Sequence, residues 1–160
     1  MSRKHCKRKH YALTDPIALA TKGAFITDTV LLDKLRLIEL AALQAWTDGA
    51  ATPDDWRTFA DVVNLTQTLA GMGVGPEALV SAQRAEAALL RAHGRYAIGL
   101  PMTASQTDVK TFRDVYEYHD LQRTSIDRST YERAIVATMG KIRGAGPAIR
   151  VCVGREEVTA

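Results

Sequence analysis

Cysteine is nearly missing from this chain: Cys6 and Cys152, close to opposite ends, are the two present in 160 residues. That usage excludes a disulfide framework and points to a reducing compartment, with no Cys6–Cys152 bridge expected. Long apolar runs are missing as well. The richest stretch, Val30 to Leu43, is interrupted by Asp33, Lys34, Arg36 and Glu39, which excludes a membrane-spanning helix there. The N-terminus starts with charge but has no apolar signal-peptide core, so a cytoplasmic protein is expected. Aromatic residues make up only 6% of the chain. Leu and Ala dominate the apolar set, and both are strong helix formers, which favours helix packing over a sheet sandwich. Internal repeats and long low-complexity segments are not evident.

Acidic residues are missing from one place in particular. Residues 1–10 hold Arg3, Lys4, Lys7, Arg8 and Lys9 and no acid, which leaves 16 basic against 18 acidic side chains elsewhere. The net charge of +3 therefore belongs to the arm, and the body is close to neutral. A near-neutral body with a basic arm is a different object from a uniformly basic domain. Hydrophobic residues make up 46% of the chain, enough for a core without metal or disulfide support.

Helical spacing organises most of the chain beyond the arm. Tyr11 to Phe25 is a weakly apolar lead-in, marked by Asp15-Pro16 and broken at Gly23. The first helix is predicted from about Asp28 to Asp48, with a stripe of Leu31, Leu35, Ile38 and Ala42 widened by Leu32, Leu43 and Trp46. So wide an apolar arc suits a central helix or one that pairs with a second copy, so a homodimer is expected. The second helix has the clearest start: Thr52 as cap, Pro53 in the first turn, Asp54 and Asp55 at the positive end of the dipole. It carries Trp56, Phe59, Val62, Val63, Leu69 and Ala70 and stops at Gly71. After the turn Gly71-Met72-Gly73-Val74-Gly75-Pro76, an Ala-rich third helix is predicted to about His93, with Gly94 as its end. Tyr96 to Met102 reads as extended or loop. Ser105 and Asp108 cap a further helix bearing Val109, Phe112, Val115 and Tyr116. A break at Thr124-Ser125-Ile126-Asp127 is preferred to one bent helix, because Tyr131, Ile135 and Ile142 fall out of phase. Gly144 to Pro147 ends helical structure, and Ile149 to Val153 alternates like a short strand. The fold class is thus mainly α: a bundle of about four to five helices with a short C-terminal strand or extended tail. The division expected is a flexible basic arm at 1–10, a helical domain at 11–143, and a Gly/Pro turn with strand or tail at 144–160.

Three segments occur in a familiar order. They are Arg8-Lys9-His10-Tyr11 leading to Asp15-Pro16-Ile17-Ala18; Val63-Asn64-Leu65-Thr66-Gln67-Thr68-Leu69-Ala70; and Tyr118-His119-Asp120-Leu121-Gln122 with Tyr131-Glu132-Arg133-Ala134. In that order they resemble a group of small, uncharacterised proteins encoded by prophages of proteobacteria, over roughly residues 3–140. The resemblance implies a phage accessory setting in the cytoplasm of a bacterial host, and no mechanism.

The arm is the leading candidate site. Arg3, Lys4, Lys7, Arg8 and Lys9 suit contacts to nucleic-acid phosphates, and Tyr11 could stack on a base. The alternatives are a solubilising tail or a docking segment for an acidic host protein. His5, Cys6 and His10 match no zinc spacing, so no metal is expected. The glycines at 71, 73 and 75 follow a helix and precede no Lys-Ser/Thr pair, which makes them a helix–helix turn and not a phosphate loop. His119 and Asp120, near Tyr116, Glu117 and Tyr118, do not form a dyad by adjacency. They are expected on a helix surface, with His119 at the edge of the core stripe. Arg113, Arg123, Arg128, Arg133, Lys141 and Arg143 are expected on an ordinary solvated face. With no convergent polar motif, neither catalytic residues nor a cofactor are expected. The function anticipated is a small regulatory or nucleic-acid-associated phage protein. The alternative is an inhibitor that binds a host or defence protein through its helical surface.

Overall fold

A computed structural model describes residues 29–144, and every regular element in that span is an α-helix. The five are α1 (Thr29–Thr47), α2 (Pro53–Gly71), α3 (Ala78–Ala97), α4 (Gln106–Ser125) and α5 (Arg128–Gly144). The fold is a mainly α helical bundle. The arm at 1–10 and the strand or tail expected at Ile149 to Val153 lie outside the described residues.

Local chemistry fixes the boundaries. At α2, Thr52 is extended and its Oγ1 accepts from the Asp55 amide, while the Asp55 carboxylate accepts from the Thr52 amide at 2.9 Å. This reciprocal pair satisfies two amides that the first turn otherwise strands. Ser105 and Asp108 repeat the device at α4, at 3.1 and 3.2 Å. The preferred break is present: Ile126 is extended, and Asp127 accepts from the Thr130 amide at 2.7 Å to start α5. One boundary differs from expectation. Helix α3 runs through Gly94 to Ala97, because an interior glycine costs only about 1 kcal/mol and the buried Leu89 and Ala92 hold the helix down. The stop is Gly99, at φ 80°, where the Leu100 amide reaches back to the Arg95 carbonyl at 3.0 Å.

Helix α2 is the central element and packs on α1, α3, α4 and α5. Helix α1, read from its wide apolar arc as a candidate for that place, is peripheral and packs on α2 and α4. The core centres on Phe112, whose ring lies 4.9 Å from that of Phe59 and 5.3 Å, edge to face, from that of Trp46. Trp56 is buried there and donates its indole N–H to the Leu89 carbonyl at 2.9 Å. Helix α3 faces this core with Ala78, Ala82, Ala85, Ala88 and Ala92, small enough for close helix approach. A second cluster joins Leu69, Ile126 and Ala134 beneath α5. There a Thr138–Thr68 hydrogen bond of 2.9 Å also links α5 to α2.

Candidate binding cleft

Glu39 stands in the middle of the buried stripe of α1, with Leu32, Ala42, Leu43 and Trp46. A carboxylate at a core position needs a cationic partner, since an unpaired buried charge is prohibitively costly. Arg123 of α4 supplies it. Its Nη1 and Nη2 donate to Glu39 Oε1 and Oε2 at 2.9 and 3.1 Å, and Nη2 also donates to Asp120 Oδ1 at 2.8 Å. Arg36, one turn before Glu39, forks onto Asp120 at 2.9 and 3.0 Å. Two guanidinium groups and two carboxylates thus bridge α1 and α4. Burial raises the Glu39 pKa, against the pull of Arg123. Burial also acts upward on Asp120, but hydrogen bonds from Arg36 and Arg123 outweigh it and hold that carboxyl below its ordinary value.

Two expectations are corrected here. Arg123 is not on a solvated face: its exposure is 0%. His119 is not at the edge of the core stripe but fully enclosed. One turn of α4 carries His119, Gln122 and Arg123 inward together, and helical spacing alone cannot say that partners on α1 will neutralise an inward Arg. The two other polar residues find different fates. Gln122 donates to the Val74 carbonyl at 2.7 Å and so anchors the α2–α3 turn. His119 Nδ1 and Nε2 have no hydrogen-bond partner among the described residues, and the nearest carboxylate oxygen, on Glu39, is 3.9 Å from Nε2. Burial, reinforced by the Arg123 charge, lowers its pKa to about 3, so the ring is neutral at pH 7.

The unpaired imidazole lies at the floor of a cleft of about 730 Å³. Helix α1 contributes Leu35 and Ile38 to one wall, and α5 contributes Ile135, Met139 and Ile142 to the other. Val62 and Leu65 of α2 complete an apolar lining. Asp61 stands at the mouth, reached by water yet desolvated enough that its pKa is raised. Apolar rim residues are open to solvent: Ile38 is 58% and Met139 47% exposed.

The candidate phosphate-contacting residues Arg3, Lys4, Lys7, Arg8, Lys9 and Tyr11 lie outside the described residues, as do His5, Cys6 and His10. The glycines at 71, 73 and 75 form a helix–helix turn in which Gly73 and Gly75 have positive φ. Among the described residues no three His, Cys, Asp or Glu side chains converge to hold a metal ion, and no helix is long and apolar enough to cross a membrane. The chain matches no family model, and comparison with curated proteins and with solved structures gives no significant match.

Proposed function

We propose that this protein is a binding protein, not an enzyme, and that it acts by taking an apolar helix face of a partner protein into the cleft between α1 and α5. The observation that carries this reading is the open apolar cleft itself, walled by Leu35 and Ile38 on one side and by Ile135, Met139 and Ile142 on the other. Its α5 wall runs from Tyr131 to Ile142, about 16 Å at the helical rise, which is three turns of a docked helix and longer than a compact ligand needs. The partner helix would carry an apolar stripe and a basic side chain for Asp61. Glu39 and Asp120 are each held by guanidinium groups, so neither is placed as a free general base. In a phage accessory setting, inhibition of a host or defence protein is the role that such a surface serves.

Photo-crosslinking from a photoreactive residue at position 139, in nuclease-treated host lysate, tests the reading. The expected product maps to an amphipathic helix of one partner and disappears with Ile38→Glu. Crosslinks to residues 1–28 or 145–160 of the same chain would make the cleft an internal surface and end the proposal. A second reading rests on the arm: Arg3, Lys4, Lys7, Arg8, Lys9 and Tyr11 binding nucleic acid. It requires a salt dependence with a log–log slope of up to ~−4 on duplex DNA, lost on deletion of residues 2–9.

A further inference from the structure

Helix α1 buries one stripe and leaves the opposite one bare. At 100° per residue, Val30, Lys34, Leu37, Ala41, Gln44 and Asp48 fall on one line directly away from α2 and α4, and all six are exposed. Their spacing alternates four and three residues, the repeat of a coiled-coil seam. Asp48 sits just past the last turn but its amide still bonds to the Gln44 carbonyl at 2.9 Å, so it continues the line. The two charges on this line run against the helix's own dipole. No acid lies in the first turn of α1 and no base in its last, while Lys34 lies toward the positive end and Asp48 at the negative one. An isolated helix is better served by the reverse arrangement.

The geometry points to a second copy of this chain as the occupant of that face, with the two α1 helices antiparallel and crossing at Ala41. In this arrangement Lys34 of each copy meets Asp48 of the other. Leu37 of each lies over Ala41 and Ala45 of the other, where small side chains admit it. Each charge is also set against the dipole end it prefers, that of the opposite helix. Lys34 and Asp48 are about 21 Å apart along one α1, too far to pair within a chain. A parallel pairing would place Lys34 against Lys34 and Asp48 against Asp48. Charge therefore selects the antiparallel arrangement. The pairing uses the outward line of α1, which includes neither Leu35 nor Ile38 of the cleft wall, so it goes beyond the proposed partner site and does not depend on it.

Sedimentation equilibrium of the full chain at tens of micromolar is expected to give twice the 17.5 kDa chain mass. Lys34→Glu alone, or Asp48→Lys alone, is expected to weaken association about tenfold, because each change acts twice across the symmetric pair. The double variant Lys34→Glu with Asp48→Lys is expected to restore it. Neither residue is buried, so these variants keep their fold, which far-UV circular dichroism verifies. Leu37→Glu is expected to give a folded monomer. A native chain that is monomeric throughout overturns the inference. So does a dimer indifferent to the single charge changes, or a monomer that Leu37→Glu unfolds, since the face is then covered by the chain itself.

Discussion

Acidification offers a direct measure of how deeply His119 is held. In the unfolded chain its imidazole has a pKa of 6.5, whereas in the bundle burial and the Arg123 charge lower it to about 3. Between these values the unfolded state binds a proton that the folded state refuses. Stability is therefore fully present above pH 6.5 and is lost as pH falls toward the folded value. From pH 7.5 to 5.0 the loss from this one group is about 2 kcal/mol. The figure barely changes for any folded pKa below about 4, because the unfolded state then accounts for nearly all the proton uptake. The groups around the ring are Glu39 on α1, Asp120 and Arg123 on α4, and Tyr131 on α5, whose ring is 6.4 Å away. Glu39 and Asp61 have raised pKa values and act with the opposite sign, gaining stability as pH falls. The measurement is thus a difference: urea unfolding of the native chain and of His119→Leu at both pH values. The native chain is expected to lose about 2 kcal/mol more than the variant. Equal losses, or a His119 resonance titrating near 6.5 in the folded protein, would refute the reasoning.

Three other perturbations have expected outcomes. Arg123→Met strands Glu39 in the core and is expected to cost about 3–5 kcal/mol in urea unfolding, much of it recovered when Glu39→Leu is added. Thr52→Ala removes the reciprocal cap of α2 and is expected to cost about 1 kcal/mol, seen as a lowered urea midpoint with an unchanged slope. Ala82→Leu forces a larger side chain between α3 and its neighbours, with an expected loss of about 1–3 kcal/mol by the same assay.

The elements whose boundaries are set by local chemistry were legible in the sequence. Thr52 with Asp55, Ser105 with Asp108, and the phase change after Thr124 each decide a boundary through contacts within a few residues. Gly94 misled because a glycine weakens a helix without ending it, and the tertiary burial of Ala92 decided the matter. The polar bridge was not legible. Arg123 and Glu39 are 84 residues apart in the chain, and either alone reads as a surface charge. A signal did exist: Glu39 interrupts the apolar stripe at the spacing of a core position, and such a carboxylate asks for a cation elsewhere. The cleft was equally hidden, since it arises from how far α5 stands from α1 and not from any one segment. The candidate site on the arm was read from charge density alone and lies outside the described residues.

The bridge between α1 and α4 also settles where α1 can sit. A helix rich in Leu and Ala presents a nearly uniform apolar surface, and sliding it by one turn, about 5.4 Å, exchanges one such side chain for another at little cost. The fork of Arg36 on Asp120 and that of Arg123 on Glu39 have no equivalent one turn away, because Leu32 and Leu35 in one direction, or Leu40 and Leu43 in the other, are the residues that would move toward the places of Arg36 and Glu39. A slipped α1 would leave Arg123 buried beside no carboxylate at the Glu39 position. Four charged side chains thus act as a key, admitting one alignment of a helix whose apolar residues would tolerate several.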